Sequence, residues 1–438
     1  MESRHHRHHG KKRPTNLLVR SIEDFVAQQE ILLPPLYESG SLDGHSEPVQ
    51  SGTTLHSRDL PKRYTIYGNL LLLPAAFPEH SFEWQTYYQA LSQSRRADLF
   101  STITSVFSQS GHQITHIGLN APIQSKLLGG AQSDKKNAMR SPIDLQPLYG
   151  DFGPQRLLSS ATSQPSKNDF ESAFWVETTQ VSNVTQVWAP RWTMFSRGNV
   201  REKARVLQIT QQNPAPFPGL TMQELGQPLS EVDIVDMYVG IGYFAIPYLK
   251  RGVRRVFGWD INGWSIEGLR RGCEKNNFTC EVVKVPNEHE GVGLEQLVAE
   301  VASLIKDKES LRCIAFWGDN RHALSLLSRV QATLAESPAA LNIRHCNLGL
   351  LPTSSGSWRD AVELVKDNSA GWLHVHENAD IQQVEHKRQS VLDSILSLAD
   401  EPNEAKWNAA CQHTEMVKTY APGIGHFVFD IKLWPAAS

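Results

Sequence analysis

The chain has 438 residues, of which 40% are hydrophobic and 20% are charged, and its formal net charge is −3. This length and composition predict a globular protein with two or three domains that each bury a core. The nearly balanced charge excludes a molecule that is basic throughout, so any surface that binds nucleic acid must come from local clusters of cations.

Membrane-spanning segments, leader sequences and paired cysteines are not evident in the sequence. No apolar run approaches the roughly 20 residues that a membrane-spanning helix needs, and the first residues lack the apolar core of a secretory signal. The five cysteines are odd in number and are never spaced as C-x-x-C. We therefore expect a cytoplasmic protein with reduced thiols, no membrane contact and no metal.

The first predicted segment, 1–60, combines a basic tail, a short helix and a linker. Residues 1–13 are rich in His, Arg and Lys. We interpret them as a disordered tail, because nothing apolar is present to fix the geometry of a metal-binding tag. Apolar residues recur at helical spacing within 15–36, whereas residues 37–58 have the Ser, Gly, Asp and His content that is typical of a linker.

The second segment, 61–190, is predicted to be a small N-terminal α+β domain. Its apolar runs favour strands, and one longer stretch favours a helix. The predicted elements, in order, are a strand over 64–74, a helix over 84–107, a strand over 113–120, a polar loop over 125–141, and a strand pair over 174–188 that turns at Ser182 and Asn183.

The third segment, 191–438, is predicted to be a catalytic domain, and the stretch that leads into it has two interpretations. Residues 188–205 have the sequence WAPRWTMFSRGNVREKAR. One interpretation is a capped helix with a solvated, charged face. The other is a loop that delivers Ser196 and Lys203 to a ligand with a carboxylate or phosphate, and the pattern favours this second interpretation.

The stretch 232–277 predicts a cofactor site. It contains a buried strand that ends at Asp236, a turn with Gly240 and Gly242, a helix, and a second strand that ends at Asp260. The glycines permit a sharp turn and a close approach of the backbone to a ligand, and the later carboxylate is placed to accept hydrogen bonds from ribose hydroxyls. The order D-x-Y-x-G-x-G differs from the dinucleotide fingerprint G-x-G-x-x-G and suits a class I S-adenosylmethionine site. An ordinary strand–helix crossover is the less favoured alternative.

Strands and helices continue to alternate to the end of the sequence. An acidic loop and an additional helix are predicted over 286–310, as a surface addition. The strand over 311–317 is followed by Asp319 and Asn320, in the position that lines the ligand crevice of an open α/β sheet. This alternation predicts an α/β fold of the Rossmann-like class I type, with a doubly wound and mostly parallel sheet. The remaining predicted elements are strands over 345–351, 371–378, 416–420 and 426–433, and helices over 357–367 and 381–399.

A resemblance to a known family is carried by five segments in this order: WTMFSRGNVREKAR, VDMYVGIGYFAIP, WGDNR, LGLLPTSSGSW and VKTYAPGIGHFVFDI. The chain resembles the tRNA wybutosine-synthesising aminocarboxypropyltransferases, which are relatives of the tRNA guanine-37 N1-methyltransferases. The resemblance is strong over 174–434 and weaker over 64–190. The segment MFSRGN-x-x-EK-x-R separates this family from the methyltransferases. Those relatives carry an asparagine–proline signature where this chain has Leu350-Leu351-Pro352-Thr353.

The resemblance implies an unusual use of S-adenosylmethionine. The 3-amino-3-carboxypropyl group, and not the methyl group, would pass to C7 of the tricyclic guanine derivative 4-demethylwyosine at position 37 of phenylalanine tRNA, with methylthioadenosine released. Ser196 and Lys203 would contact the cofactor, Asp260 its ribose hydroxyls, and Asp319 with Asn320 its adenine edge. The implied cofactor-binding set is Ser196, Lys203, Asp236, Gly240, Gly242, Asp260, Asp319 and Asn320.

The substrate side of the site is less specified. Arg197, Tyr243 and Pro352 are the predicted substrate contacts. Glu202 is the candidate base for the C7 proton, and a carboxylate at the helix start that faces solvent is an alternative of equal weight. The candidate phosphate contacts, most of which we expect to be solvated helix residues, are Lys250, Arg251, Arg254, Arg255, Arg270, Arg271 and Arg321.

The implied partner is the anticodon loop of phenylalanine tRNA, whose base 37 must leave its stack to reach the site. The N-terminal domain is a candidate for a further tRNA contact, and the chain is predicted to be a monomer. Two other hypotheses stay open at this point. In the first, the chain is a guanine-37 methyltransferase. In the second, it is a tRNA-binding scaffold without catalytic activity.

Overall fold

The computed structural model describes residues 16–29, 55–120, 145–155, 164–209, 217–286, 293–366, 370–400 and 406–436. The described residues form two compact units, one that ends at Phe152 and one that begins at Gly153. Within these ranges, no helix is both long and apolar enough to cross a membrane. The predicted tail 1–13, the loop 125–141 and most of the linker 37–58 lie outside the described residues.

The first unit is built on a four-stranded sheet. The strand order is β1-β2-β3-β4, with β2 and β3 parallel and the other two pairs antiparallel. Its apolar strand residues share one core with apolar residues of all three helices, for example Ile22, Trp84 and Phe107. The elements are α1 (Leu17–Gln29), β1 (Thr65–Tyr67), β2 (Leu70–Pro74), α2 (Phe82–Ala90), α3 (Gln93–Gln109), β3 (His116–Asn120) and β4 (Gln146–Tyr149).

Two predictions for this unit are wrong in detail. The single strand over 64–74 is a hairpin, because Gly68 has a φ of 51° and reverses the chain between β1 and β2. The single helix over 84–107 is two helices. Leu91 leaves the helical conformation, and the hydroxyl of Ser92 caps α3 by accepting a hydrogen bond from the Arg95 N–H at 3.3 Å.

The second unit begins with a short helix, α4 (Lys167–Ser172), and the antiparallel hairpin of β5 (Val176–Gln180) and β6 (Val184–Trp188). Ser182 and Asn183 both have positive φ, which confirms the predicted turn. Residues 153–190 thus belong to the second unit, although the sequence analysis groups them with the N-terminal domain. Compact units need not coincide with functional domains, so the predicted domain limits stay a prediction.

The remainder of this unit is organised by an eight-stranded sheet. Its order is β13-β14-β12-β11-β7-β8-β10-β9. The six strands β12, β11, β7, β8, β10 and β9 are parallel to one another, whereas β14 pairs antiparallel with both β12 and the edge strand β13. The strands are β7 (Asp233–Asp236), β8 (Arg255–Asp260), β9 (Thr279–Lys284), β10 (Leu311–Trp317), β11 (Ile343–Leu348), β12 (Gly371–Asp380), β13 (Trp407–Ala421) and β14 (Ile424–Pro435).

Helices cover both faces of this sheet. Neighbouring strand residues point to opposite faces, so that Val235 joins one apolar cluster and Ile234 the other. The predicted doubly wound, mostly parallel α/β architecture of the Rossmann-like class I type is therefore confirmed. The helices are α5 (Val200–Val206), α6 (Met222–Leu225), α7 (Ala245–Arg251), α8 (Gly263–Lys275), α9 (Leu294–Asp307), α10 (Ala323–Leu334), α11 (Trp358–Lys366) and α12 (Val384–Ala399).

The additional helix α9 differs from the prediction of a surface addition. Leu297, Val301 and Ile305 lie on one side of it and are buried in the core of the sheet. Strand β9, between α8 and α9, has no counterpart among the predicted elements. The two together extend the parallel sheet beyond β10 and cover that extension.

Candidate functional site

The parallel strands place the predicted acids at one edge of the large sheet. β7, β8 and β10 are adjacent, and Asp236, Asp260 and Asp319 stand at or just past their carboxyl ends. Two hydrogen bonds join these strand ends. The Gly240 N–H donates to Asp260 Oδ2 at 3.1 Å, and Asn320 Nδ2 donates to the Met237 carbonyl at 2.7 Å.

The glycine turn after β7 needs glycine for two physical reasons. Gly240 and Gly242 have φ values of 55° and 82°, a region in which side chains are strained. A Cβ on Gly242 would also lie 2.7 Å from the Leu269 side chain. The turn therefore keeps a backbone surface close to the strand ends, where a ligand can approach it.

Asp236 is a buried acid with an unused acceptor. Its Oδ1 accepts a hydrogen bond from the Tyr238 N–H at 3.2 Å, whereas its Oδ2 has no hydrogen-bond partner among the described residues. Burial raises the pKa of Asp236 to about 7 and the nearby charge of Asp260 adds to the effect, while the Asn347 side chain and the Tyr238 N–H act in the opposite direction. A buried oxygen without a partner costs free energy, and a donor from a ligand would remove that cost.

Asp260 connects the glycine turn to the start of α8. Its Oδ1 accepts a hydrogen bond from the Asn262 N–H at 2.7 Å, while Oδ2 accepts from Gly240. Ile261 lies between these two polar residues and is 42% exposed. Ile261 is not among the site residues predicted from the sequence.

Asp319 and Asn320 occupy a 3-10 turn after β10. Asp319 accepts hydrogen bonds from the backbone N–H and the guanidinium of Arg321, at 3.0 and 2.7 Å. Partial burial would raise the pKa of Asp319, but these hydrogen bonds outweigh it and lower the pKa below its usual value. The carboxylate is therefore charged at neutral pH.

The loop before α5 meets the glycine turn through Tyr243. The Ser196 N–H donates to the Tyr243 hydroxyl at 2.9 Å, and that hydroxyl donates to the Met194 carbonyl at 2.6 Å. From β13, Lys418 Nζ reaches Ser196 Oγ at 3.4 Å. Gly198 accommodates this lysine, since a Cβ there would lie 2.6 Å from Lys418 Cδ. Lys418 was missed in the sequence because β13 and the loop are more than 200 residues apart.

Lys203 is a buried cation held by neutral groups. It is completely buried, and its Nζ donates to the amide oxygens of Gln180, at 2.8 Å, and of Gln186. The Nζ also lies 5.2 Å from the ring centre of Tyr243 and 5.6 Å from that of Phe195. Burial lowers the pKa of Lys203 to about 7. An anion bound beside it would restore the charged form, so the group is suited to hold a carboxylate.

Glu202, the predicted base, lies in an internal ion network. Both of its carboxylate oxygens accept hydrogen bonds from Arg205 at 2.9 Å, and Arg205 also donates to Asp430 at 2.8 Å. Asp430 in turn pairs with His374 at 2.7 Å. Burial raises the pKa of Glu202, while the Arg205 charge opposes that effect. The network gives Glu202 a structural role in anchoring α5, and its assignment as a base stays a prediction that this contact does not support.

The three predicted substrate contacts lie in different surroundings. Tyr243 joins the loop and the turn, as described above. Pro352 is exposed just past β11, and its carbonyl accepts a hydrogen bond from the Asn378 N–H at 2.9 Å. The side chain of Arg197 lies outside the described residues. Trp192, by contrast, stacks on Trp264 with ring centres 4.7 Å apart, beside Asn262.

Each of the predicted phosphate contacts has a partner within the chain. Arg254 and Arg255 pair with Asp233, and Arg270 and Arg271 pair with Glu267. Arg270 and Arg271 lie on α8, whereas Arg254 and Arg255 precede and begin β8 and are bound to a buried carboxylate, so these two are not the solvated helix residues that were expected. Further contacts are Lys250 with the Asn183 carbonyl, Arg251 with Gln208, and Arg321 with Asp319.

The site thus has two regions of different charge. Asp236, Asp260 and Asp319 follow the strand ends, while Lys203 and Lys418 flank the loop at Ser196. Tyr243 joins the two regions. The arrangement suits a ligand that carries hydroxyls and a cation at one end and a carboxylate at the other.

Comparisons with known proteins give close relatives. The chain is 33% identical over 376 residues to tRNA wybutosine-synthesizing protein 2 of Schizosaccharomyces pombe, across 85% of this chain and 73% of the relative. It is 29% identical over 403 residues to the protein of the same name in Saccharomyces cerevisiae, across 85% and 74%. A crystal structure of P. horikoshii TYW2 in complex with MeSAdo matches 86% of this chain and 93% of its own, with 15% identity and a TM-score of 0.49. A scan against models of protein families found no match.

Proposed function

The chain belongs to the tRNA wybutosine-synthesizing protein 2 family, and we propose that it transfers the 3-amino-3-carboxypropyl group of S-adenosylmethionine to tRNA. The proposed acceptor is C7 of 4-demethylwyosine at position 37 of phenylalanine tRNA, and the other product is methylthioadenosine. The observation that carries this proposal is the buried Lys203, whose hydrogen-bond acceptors are neutral amides.

The described residues fit this cofactor. The unpartnered Oδ2 of Asp236 is a buried acceptor that a ligand can satisfy. Asp260, at the carboxyl end of β8, is proposed to accept hydrogen bonds from the ribose hydroxyls. Asp319 and Asn320 are proposed to contact the adenine edge, and the exposed Ile261 would give the ring an apolar contact. When bound, S-adenosylmethionine supplies a carbon activated by a sulfonium leaving group.

The choice between methyl and aminocarboxypropyl transfer is proposed to depend on position. Three carbons are attached to the sulfonium, and the one aligned with the nucleophile reacts. Lys203 and Ser196, with Lys418 beside them, are proposed to hold the carboxylate of the aminocarboxypropyl arm. Fixing that carboxylate would orient the arm toward the RNA base. Since Glu202 is bound to Arg205, the proposal relies on positioning. C7 forms its bond to the aminocarboxypropyl carbon as the C–S bond breaks, methylthioadenosine leaves, and the C7 proton then passes to water.

The proposed partner is the anticodon loop of phenylalanine tRNA, with base 37 turned out of its stack into the site. Trp192, stacked on Trp264 next to the start of α8, is a candidate surface for an aromatic base. We place the reaction in the cytoplasm, because all five cysteines are free. The chain is proposed to act as a monomer, which light scattering of the purified protein tests directly.

The decisive experiment uses S-adenosylmethionine labelled either in the methyl carbon or in the carboxyl carbon. The protein is incubated with phenylalanine tRNA that carries 4-demethylwyosine, and the label in the RNA is counted. Carboxyl label alone is the expected result. Methyl label alone would make the protein a methyltransferase, and binding of both ligands without any label in the RNA would make it a scaffold.

A further inference from the structure

Three cysteines that are far apart in the sequence converge in the fold. Cys273 lies in α8, Cys280 in β9 and Cys313 in β10. Their three Sγ atoms all lie within 4.8 Å of one another. The β9–β10 register sets Cys280 opposite Cys313, and the turn at Asn277, with a φ of 62°, returns the chain from α8 into β9.

The cluster is largely shielded from solvent. Cys273 and Cys313 are completely buried, whereas Cys280 is half-buried. Thiolates are the form of cysteine that binds metals.

We propose that Cys273, Cys280 and Cys313 form a binding site for one thiophilic cation of the Zn²⁺ class. Zn–S bonds of about 2.3 Å place tetrahedral ligands about 3.8 Å apart, so the three sulfurs need to approach by about 1 Å at most. Rotation of the side chains supplies such a movement. Water or another small molecule would supply the fourth ligand, as in zinc sites with three protein ligands. Binding of the cation releases protons from the thiols, so the affinity rises with pH.

The site is separate from the proposed catalytic centre. Cys313 precedes Trp317 by four residues in β10, which corresponds to about 13 Å along a strand. The acids of the catalytic site follow the carboxyl end of that strand. A bound cation would therefore join α8 to β9 and β10 and stabilise this edge of the sheet, and it would take no part in group transfer.

The test is a titration of the full chain with CdCl₂ after reduction and removal of metals. Sulfur ligands give cadmium an ultraviolet charge-transfer band, which histidine ligands such as those offered by His5, His6, His8 and His9 do not. We expect a band that saturates at one cadmium per chain. Cys280→Ala should weaken cadmium binding by more than about 100-fold, because even the loss of an outer-shell partner costs about 10- to 100-fold. The matched control is Cys411→Ala, a half-buried cysteine outside the cluster, which should keep the band.

Two further measurements use the unaltered chain and therefore do not depend on the folding of Cys280→Ala. One equivalent of ZnCl₂ should protect Cys280 of the unaltered chain from alkylation, as measured by mass spectrometry, and should raise Tm. Absence of the charge-transfer band, absence of protection, or an equal loss of the band in Cys411→Ala would each show that the three thiols are only packed core residues.

Discussion

Replacing Lys203 by methionine removes a charge from the site and keeps most of the side-chain volume. A hydrogen bond to a charged group contributes about 1.5–3 kcal/mol. Loss of that contribution should weaken binding of S-adenosylmethionine by about 10- to 150-fold. Lys275→Met is the matched control, because Lys275 is a half-exposed lysine of α8 that pairs with Glu177. Calorimetric titration of both variants measures the difference.

The pH dependence gives a second, independent measure of Lys203. Its pKa of about 7 in the free protein means that the charged form declines above that pH. Affinity for S-adenosylmethionine should therefore fall by roughly tenfold for each pH unit above 7 in the unaltered chain. Lys203→Met should lack this dependence. An unchanged Kd in the variant, or the same pH slope in both proteins, would refute a carboxylate-binding role.

The lowered pKa of Lys203 also predicts how the unfolding free energy changes with pH. The unfolded chain takes up a proton on this lysine below its ordinary pKa of 10.5, whereas the folded chain does so only below about 7. Between these values the unfolded state holds more protons, so this residue makes the unfolding free energy rise with pH. The unfolding free energy of the unaltered chain minus that of Lys203→Met should therefore rise by about 1.4 kcal/mol per pH unit, to about 5 kcal/mol in total between pH 7 and 10.5. Urea unfolding from pH 7 to 10 should show about 4 kcal/mol of this change.

Three further predictions concern the turn and the ion network. Gly242→Ala should destabilise the fold by about 1–3 kcal/mol and weaken cofactor binding. The control is Gly252→Ala, where φ is also positive but the space is open, so that only backbone strain should lower the stability. Thermal unfolding compares the two variants. Asp430→Asn should lower the unfolding free energy by about 3–5 kcal/mol, because it leaves the buried Arg205 with a single carboxylate, and a loss below 1 kcal/mol in urea would contradict the network. Glu202→Gln should retain kcat for transfer within about threefold at temperatures where it is folded, and a fall of a hundredfold in single-turnover assays would identify it as the base after all.

The large sheet could be predicted because its central strands are apolar on both faces. Such strands give unbroken hydrophobic runs, and β10 over Leu311–Trp317 was predicted to the residue. The edge strand β9 has only one buried residue, Val283, and gives no comparable run. The hairpin of β1 and β2 was missed for a different reason. Its turn depends on the backbone conformation of Gly68. The apolar residues on both sides of that glycine give the sequence pattern of one continuous strand.

The candidate site could be predicted where each residue belongs to a pattern within its own segment. Asp236, the glycines and Asp260 follow one another at spacings set by a strand, a turn and a helix, so a motif reveals them. Asp430 and His374 lie far from Arg205 in the sequence, and only the assembled β12 and β14 bring them to it. Lys418 reaches Ser196 from β13 in the same way. Residues that meet only when distant strands pair form no recognisable motif in the sequence.

The contrast between two neighbouring cations in α5 indicates which one is available to a ligand. Arg205 is buried between Glu202 and Asp430, so its charge is already balanced by carboxylates. Lys203, two residues earlier and equally buried, has neutral amide oxygens as its hydrogen-bond acceptors. A buried cation without a counter-ion is costly, and its lowered pKa reports that cost. The anchoring of α5 by Arg205 holds Lys203 in this unfavourable position. An incoming carboxylate would remove the cost, which makes Lys203 the cation of this helix that is suited to binding.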